Sequence, residues 1–161
     1  MDWAFLIDFM IEIGYFLLVF GIFLGFSVFK GRQAVMNLIF GLYLALLISI
    51  QFPNYDFILG GLDSAGSLAL GKITFFAIIS LLTTALCFRV MPDEFQENKF
   101  ESFGKKILLA GGATILLMIF SFNVLPVTEF LTPGTPIQSL FAPEHYFFWW
   151  LLVPLVILYI V

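Results

Sequence analysis

The sequence predicts an all-α integral membrane protein, a bundle of four to five transmembrane helices with short loops. Hydrophobic residues make up 61% of the 161-residue chain and charged residues only 11%, whereas soluble domains carry about 25% charged residues. The apolar residues are also gathered into runs close to the roughly 20 residues that a helix needs to cross a bilayer. Because only lipid can surround so much apolar surface, we expect residues 1–161 to form a single multi-pass membrane domain in contact with the lipid bilayer.

Five apolar segments are candidate membrane helices. The first lacks a basic start and a small-residue cleavage site and is too long for a signal peptide, so we expect it to be retained. The fifth covers only about 22 Å of a hydrocarbon core of about 30 Å, and Pro154 removes one of its backbone hydrogen bonds. We expect it to cross the membrane or half of it. The predicted helices are about 4–29, 34–51, 73–91, 106–127 and 147–161.

The basic residues orient these helices. All but one of the seven lie in or at the ends of the connections between helices one and two and between helices three and four, whereas Lys72 lies in the connection before helix three. The positive-inside rule assigns the two basic connections to the cytoplasm, which places the N-terminus outside. The basic residues on that side are Lys30, Arg32, Arg89, Lys99, Lys105 and Lys106.

The connections differ in character. Residues 30–33 are too few for anything but a tight antiparallel hairpin. The 51–72 connection combines glycines with apolar residues and is expected at the outer interface or within the bundle. Residues 92–106 carry phenylalanines at helical spacing between charges, which predicts an amphipathic segment on the cytoplasmic surface. The three prolines of 128–146 predict an irregular loop.

Small residues at helical spacing indicate where membrane helices pack closely. Helix one contains a G-x-x-x-G pattern, helix two has small or weakly polar residues at every fourth position, and helix four has adjacent glycines near its cytoplasmic end. We expect helix one to pack against helix two, with helix four joining near the inner leaflet. Homodimerisation through the same face of helix one is the alternative. The predicted packing residues are Gly14, Gly21, Gly25, Asn37, Gly41, Ala45, Ser49, Gly111 and Gly112.

Asp8 and Glu12 are the strongest candidates for chemistry. They lie four residues apart and therefore share one face of helix one. Ionisable groups inside a membrane are costly and usually functional, so the pair could be an entry site for a proton or cation. The simpler interpretation, which we favour, is a pair of interfacial anchors that could face Lys72. The depth of Glu12 in the membrane decides between the two.

Glu144 and His145 form a second polar pair, immediately before helix five. The chain has one histidine and one cysteine, so we predict no metal site, and anchoring at the interface is favoured over acid–base chemistry. Hydroxyl residues of helix three are expected to hydrogen-bond to their own backbone. These are Ser80, Thr83 and Thr84.

The sequence contains no phosphate-binding glycine loop, H-E-x-x-H motif or nucleophile elbow. We therefore expect a protein that is not an enzyme and has no cofactor. The net charge of −4 with only seven basic residues gives no support for nucleic-acid binding.

The end of helix one reads Gly21-Ile-Phe-Leu-Gly25-Phe26 and is followed by a Lys30-Gly31-Arg32 turn and a small-residue second helix. This pattern resembles the colicin V production protein family, as do the total length and the charged connection after helix three. Members of that family are small bacterial inner-membrane proteins, usually with four membrane helices and a role in envelope homeostasis. The resemblance implies an inner-membrane location and a similar role.

The resemblance covers mainly residues 14–50, and the chain departs from the family in two places. The family has a basic, glycine-containing stretch before its last helix, where this chain has the acidic segment 93–101. The apolar residues 147–161 are also additional. No functional residue is carried over from the family.

Two functional hypotheses follow. The first is a non-enzymatic subunit or scaffold of a membrane assembly, which packs against a second copy of itself or another membrane protein through its glycine faces. The second is a small transporter or channel that uses Asp8 and Glu12 as a proton or cation site. We favour the first, because a conduction route normally places more polar residues deep in the helices, and only Asn37 and Asn123 lie there besides hydroxyl residues.

Overall fold

The computed structural model describes residues 3–53, 60, 65–91, 103–123, 136–141 and 143–161. Every element in this part of the chain is an α-helix, so the predicted fold class, an all-α membrane bundle, is confirmed. Four of the helices are long and apolar enough to cross a bilayer. The helices are α1 (Trp3–Lys30), α2 (Arg32–Gln51), α3 (Ala65–Val90), α4 (Phe103–Asn123), α5 (Pro136–Phe141) and α6 (Glu144–Ile160).

Three boundaries differ from the sequence-based expectation. Helix α3 begins at Ala65 rather than near residue 73, because the alanines and leucines of this stretch favour a helix despite its glycines, and Ala69 is buried. The loop predicted to be irregular contains α5, and α6 begins at Glu144 directly after Pro143. Proline has no N–H to lose at the start of a helix, so it precedes or begins helices without cost. The predicted segment 124–127 lies outside the described residues, as do residues 92–102.

The turn between α1 and α2 consists of Gly31 alone. Its φ of 91° lies in the left-handed region, which glycine enters without steric penalty. Its N–H donates to the carbonyl of Ser27 at 3.0 Å, which continues the hydrogen bonding of α1 by one residue. The tight antiparallel hairpin predicted for residues 30–33 is therefore present.

Helix α4 is the centre of the bundle. It packs against α1, α2, α5 and α6, and α2 packs most extensively against α3. The expected contact of helix one with helix two is present, but α1 makes more of its contacts with α4, so α4 rather than the α1–α2 pair is the centre of the core. Sequence could not reveal this, because α4 is apolar on all sides and its pattern indicates no single face. Its fully buried residues are Leu109, Ala110, Ala113, Thr114, Leu116, Met118, Ile119 and Phe120.

Helices α1 and α3 lie at the edge of the bundle, and little of each transmembrane segment is buried. Between Ala77 and Leu86 the outward residues of α3 are leucine, isoleucine or alanine, which is the surface expected of a helix that faces acyl chains. The outward surface of α1 contains glycines as well, at Gly14 and Gly21.

Helix α6 has 17 residues, about 25 Å at 1.5 Å per residue. Pro154 does not interrupt it. Val161, which follows α6, lies beside Arg32 and Lys105 at the starts of α2 and α4, so α6 reaches the end of the bundle where those helices begin.

Candidate functional site

The small-residue stripe of α2 is buried along its whole length. Asn37 and Ala45 are fully buried, and Gly41 and Ser49 nearly so. Two residues of the stripe have described contacts across the bundle: Gly41 approaches Thr84 of α3, and Asn37 donates to the carbonyl of Met91, directly after α3. All four residues are buried, as packing residues would be, and at Gly41 and Asn37 the neighbour is the third helix rather than the first.

Gly41 is the point of closest approach between α2 and α3. A Cβ atom added there would lie 2.7 Å from Cα and 2.8 Å from the backbone nitrogen of Thr84. The neighbouring Thr83 Oγ1 donates to the carbonyl of Gly41 at 2.8 Å and lies equally near the carbonyl of Ile79 in its own helix. Glycine therefore allows backbone-to-backbone contact, which a threonine hydroxyl reinforces, as is common where membrane helices associate.

Asn37 caps the end of α3. Its Nδ2 donates to the carbonyl of Met91 at 2.9 Å, and Gln33 Nε2 donates to its Oδ1 at 3.3 Å. The last carbonyls of a helix have no partner within the helix, so the amide satisfies an acceptor that would otherwise lack a donor at the bundle end. These bonds assign Asn37 a structural role rather than a place on a transport pathway.

Among the described residues, the glycines of α1 border open space. A Cβ added at Gly14, Gly21 or Gly25 would meet nothing within 4 Å in the part of the chain that the structure describes. The described residues therefore show no intrachain contact at these three positions, where the sequence predicted packing. The physical reason is that α1 presents another face to the bundle, which includes Val19 and Ser27.

The two adjacent glycines of α4 differ. Gly112 is buried against α6, where an added Cβ would lie 3.3 Å from Ile157 Cδ1 and 3.6 Å from Pro154 Cα. At Gly111 an added Cβ would meet nothing within 4 Å among the described residues. Gly112 thus lies at a close contact between α4 and α6, and Gly111 borders open space among the described residues, since two consecutive residues on a helix point about 100° apart.

A tyrosine that sequence analysis did not single out connects α2 to α6. The hydroxyl of Tyr43 donates to the carbonyl of Leu151. Pro154 has no N–H, so it deprives the carbonyl of Trp150, four residues earlier, of its helical donor, and the bond from Tyr43 is made to the next carbonyl along the helix. Nothing in the local sequence of Tyr43 indicates this role, since the two residues are far apart in the chain.

Glu12 points into the bundle. Its side chain is 5% exposed, although the adjacent Ile11 faces outwards. One turn further along α1, the hydroxyl of Tyr15 lies 3.5 Å from that of Ser121 on α4, so this part of the α1–α4 interface is polar. The structure places Asp8 on the preceding turn of α1, but the Asp8 side chain lies outside the described residues.

The depth of Glu12 follows from the length of α1. Glu12 lies about 27 Å along the helix axis from Lys30. Since the hydrocarbon core is about 30 Å thick, a helix with Lys30 at one surface places Glu12 just inside the opposite surface. The carboxylate is therefore buried in protein near the edge of the membrane rather than at its centre.

Of the Glu144–His145 pair, the structure describes the side chain of His145. His145 is exposed, and its ring packs against that of Tyr146 with centroids 3.9 Å apart; the side chain of Glu144 lies outside the described residues. No group of three histidine, cysteine, aspartate or glutamate residues suitable for a metal ion occurs among the described residues. Trp150 Nε1 donates to the carbonyl of Leu140 at 2.9 Å and so fixes α5 against α6.

Five basic residues gather at one end of the bundle, which we call the basic end. Arg32 Nη1 donates to the backbone oxygen of Val161 at 2.9 Å, and Lys105 Nζ lies 3.4 Å from the same atom. The bond from Asn37 to Met91 brings the end of α3, with Arg89, to the same level. The basic end thus comprises Lys30, Arg32, Arg89, Lys105 and Lys106.

Comparisons with protein-family models, curated proteins and solved structures found no significant match. The resemblance to the colicin V production protein family therefore stays a prediction from sequence.

Proposed function

We propose that this chain is a non-enzymatic subunit of a membrane assembly and that it contacts a partner helix through the outward glycines of α1. The observation that carries the proposal is the open space beside Gly14, Gly21 and Gly25. These positions recur at intervals of seven and four residues, so they lie on one face of the helix. We call this surface the glycine face of α1.

Physical chemistry favours a protein partner for this face. Lipid tails are as apolar as helix side chains, so helix association in membranes depends on close packing, and small residues permit the closest approach. Within this chain, glycine is found at such a contact where α2 meets α3. Leu18 and Ile22 are exposed beside Gly21 and give the glycine face raised sides against which a second helix can pack.

Native mass spectrometry of the protein, extracted gently from its own membrane, tests this proposal. We expect a homo-oligomer or a stable complex with a second membrane protein, and the measured mass distinguishes these two. Gly21→Leu combined with Gly25→Leu should abolish the complex. Ala85→Leu, which enlarges an exposed small residue on α3, is the matched control and should leave it intact. A lone monomer in the unsubstituted protein would contradict the proposal.

The second candidate function is proton or cation transport through Asp8 and Glu12. It is supported by the burial of Glu12 within the bundle and by the neighbouring hydroxyls of Tyr15 and Ser121. The position of Glu12 near one membrane surface is less favourable, because a pathway also needs polar groups along the rest of its length. A pH-dependent flux in proteoliposomes that disappears in the Asp8→Asn, Glu12→Gln double variant would establish transport, and a flux that survives would exclude this mechanism.

We further propose an inner-membrane location with the N-terminus outside and a role in envelope homeostasis. The collection of basic residues at one end of the bundle supports this orientation through the positive-inside rule. With the substitution Lys30→Cys, the new cysteine should be labelled by a membrane-impermeant maleimide only after the membrane is opened. A cysteine at exposed Lys72, on the opposite side, should be labelled in intact cells. The reverse pattern would contradict the orientation.

A further inference from the structure

We propose that two copies of this chain form a dimer in which α1 of one copy lies in a groove on α4 of the other. In this dimer, which rests on the partner-binding function proposed above, the partner is a second copy of the chain. The floor of the groove is one face of α4, where Gly104, Gly111 and Met118 recur at intervals of seven residues. Exposure falls along this face: Gly104 is exposed, Gly111 is half-buried and Met118 is fully buried.

The walls of the groove are α1 and α6. The hydroxyl of Ser121 lies beside that of Tyr15 on α1, and Gly112 lies beside Pro154 on α6. Successive residues of a helix point about 100° apart, so Ser121 and Gly112, which are nine residues apart, lie on opposite sides of α4. Gly111 therefore lies between the side that α1 covers and the side that α6 covers.

Helix α5 fills one end of the groove. It packs against α1, α4 and α6, and the bond from Trp150 to Leu140 holds it at the end of the bundle where α6 begins. The buried Met118 lies towards this end of α4. Towards the basic end, an added Cβ at Gly104 or Gly111 would meet nothing within 4 Å among the described residues. The same face of α4 is thus covered by a helix at one end and is open to a second helix at the other.

The exposed face of α1 matches this opening in depth. Tyr15 and Ser121 lie at the same level, because their hydroxyls are 3.5 Å apart. Since α1 ends and α4 begins at the basic end, the two helices run in opposite directions. Gly25, ten residues after Tyr15, is therefore level with Gly111, ten residues before Ser121. Two copies inserted in the same orientation share this depth, so Gly25 of one copy can meet Gly111 of the other.

Close packing favours a helix over lipid in the groove. Lipid tails are as apolar as side chains, so membrane helices associate where small residues let their backbones approach. Gly25 against Gly111 permits such an approach, as Gly41 does between α2 and α3. Ile107 and Leu108 are 39% and 48% exposed beside the open glycines and offer apolar surface to the docked helix. When each copy places its α1 in the groove of the other, the contact is two-fold and closed.

Disulfide crosslinking of two differently tagged chains in the native membrane tests this dimer. One chain carries Gly25→Cys and the other Gly111→Cys, both with Cys87→Ala, and copper phenanthroline serves as the oxidant. Because a disulfide requires Cα atoms about 4.4–6.8 Å apart, we expect a crosslinked dimer that contains both tags. Gly14→Cys paired with Gly111→Cys is the matched control. It uses the same face of α1 at a depth that differs by about 16 Å and should give no crosslink.

A second variant, Gly111→Leu, keeps the test decisive, because this position borders open space within one copy and the change should leave the fold intact. By native mass spectrometry we expect a dimer for the unsubstituted protein and a monomer for this variant. Absence of the mixed disulfide, or an equal yield with Gly14→Cys, would overturn the dimer. A complex with a different protein that survives Gly111→Leu would also overturn it and would leave the proposed function intact, whereas a lone unsubstituted monomer would contradict both.

Discussion

The glycines of α1 and the small-residue stripe of α2 both place small residues at helical spacing on one face, but the two faces have opposite surroundings. Gly41 of α2 lies so close to Thr84 that an added Cβ would overlap the backbone of α3, whereas Gly21 and Gly25 of α1 border open space among the described residues. The contrast teaches that small-residue spacing indicates a surface suited to close packing without saying which helix fills it. In α2 the partner belongs to the chain; in α1 we propose that it belongs to another molecule.

The largest effect is expected from Gly41→Ala. The new methyl group would meet backbone atoms of Thr84 that cannot rotate away, so α2 and α3 must separate. Overpacking of this kind costs about 1–3 kcal/mol, and we expect a loss near the upper value in the free energy of unfolding, measured by denaturation in mixed detergent micelles. An unchanged stability would show that the two helices do not pack this tightly.

Asn37→Leu should have the next largest effect. The change removes the donor to the Met91 carbonyl and the acceptor for Gln33 and introduces an apolar side chain of similar volume, so it tests the hydrogen bonds of the amide rather than its size. Leaving a buried acceptor without its donor costs about 1–3 kcal/mol, and we expect about 1.5 kcal/mol by the same denaturation. Ala85→Leu, on the exposed face of α3, is the control and should leave stability unchanged.

Gly112→Ala tests a contact between helices that is less close than the contact at Gly41. The added methyl would meet Ile157 Cδ1 at 3.3 Å, and a terminal methyl group of a flexible side chain can move by a few tenths of an ångström. Alanine also stabilises a helix by up to about 1 kcal/mol relative to glycine. We expect these contributions to leave the free energy of unfolding within about 0.5 kcal/mol of its original value. A loss as large as that of Gly41→Ala would mean that α4 and α6 pack as tightly as α2 and α3.

The smallest effect on the isolated chain is expected from Gly21→Ala. No described atom lies within 4 Å of the new methyl, so we expect unfolding to be unchanged, or the protein to gain up to about 1 kcal/mol from helix propensity. A clear destabilisation of the monomer would show that the glycine face of α1 packs within the chain.

Much of the architecture could be predicted from sequence, because long apolar runs and the turn at Gly31 follow from local residue types. The four membrane helices, the tight hairpin and the burial of the α2 stripe were predicted on this basis. The pairing of the helices was not, since α4 is apolar on every face and its central position depends on contacts between distant residues. The hydrogen bond from Tyr43 to Leu151 was missed for the same reason.

For the candidate sites too, sequence predicted features that depend on local residue types and missed those that depend on contacts between distant residues. Sequence analysis identified Glu12 as an ionisable residue in a membrane helix, and the structure adds that its side chain faces the bundle and lies near one surface. It also identified the basic residues of two connections. It could not show that Arg32 and Lys105 meet at Val161, because their separation in the chain carries no information about that contact.

Site-specific photo-crosslinking in the native membrane tests the central claim most directly. A photoreactive phenylalanine analogue would replace Leu18 or Ile22 beside the glycine face of α1, and Leu82 or Leu86 on exposed α3 as controls. The account predicts protein adducts at the α1 positions, lost when Gly21→Leu and Gly25→Leu are introduced, and only lipid adducts on α3. Lipid adducts alone at the α1 positions would contradict it.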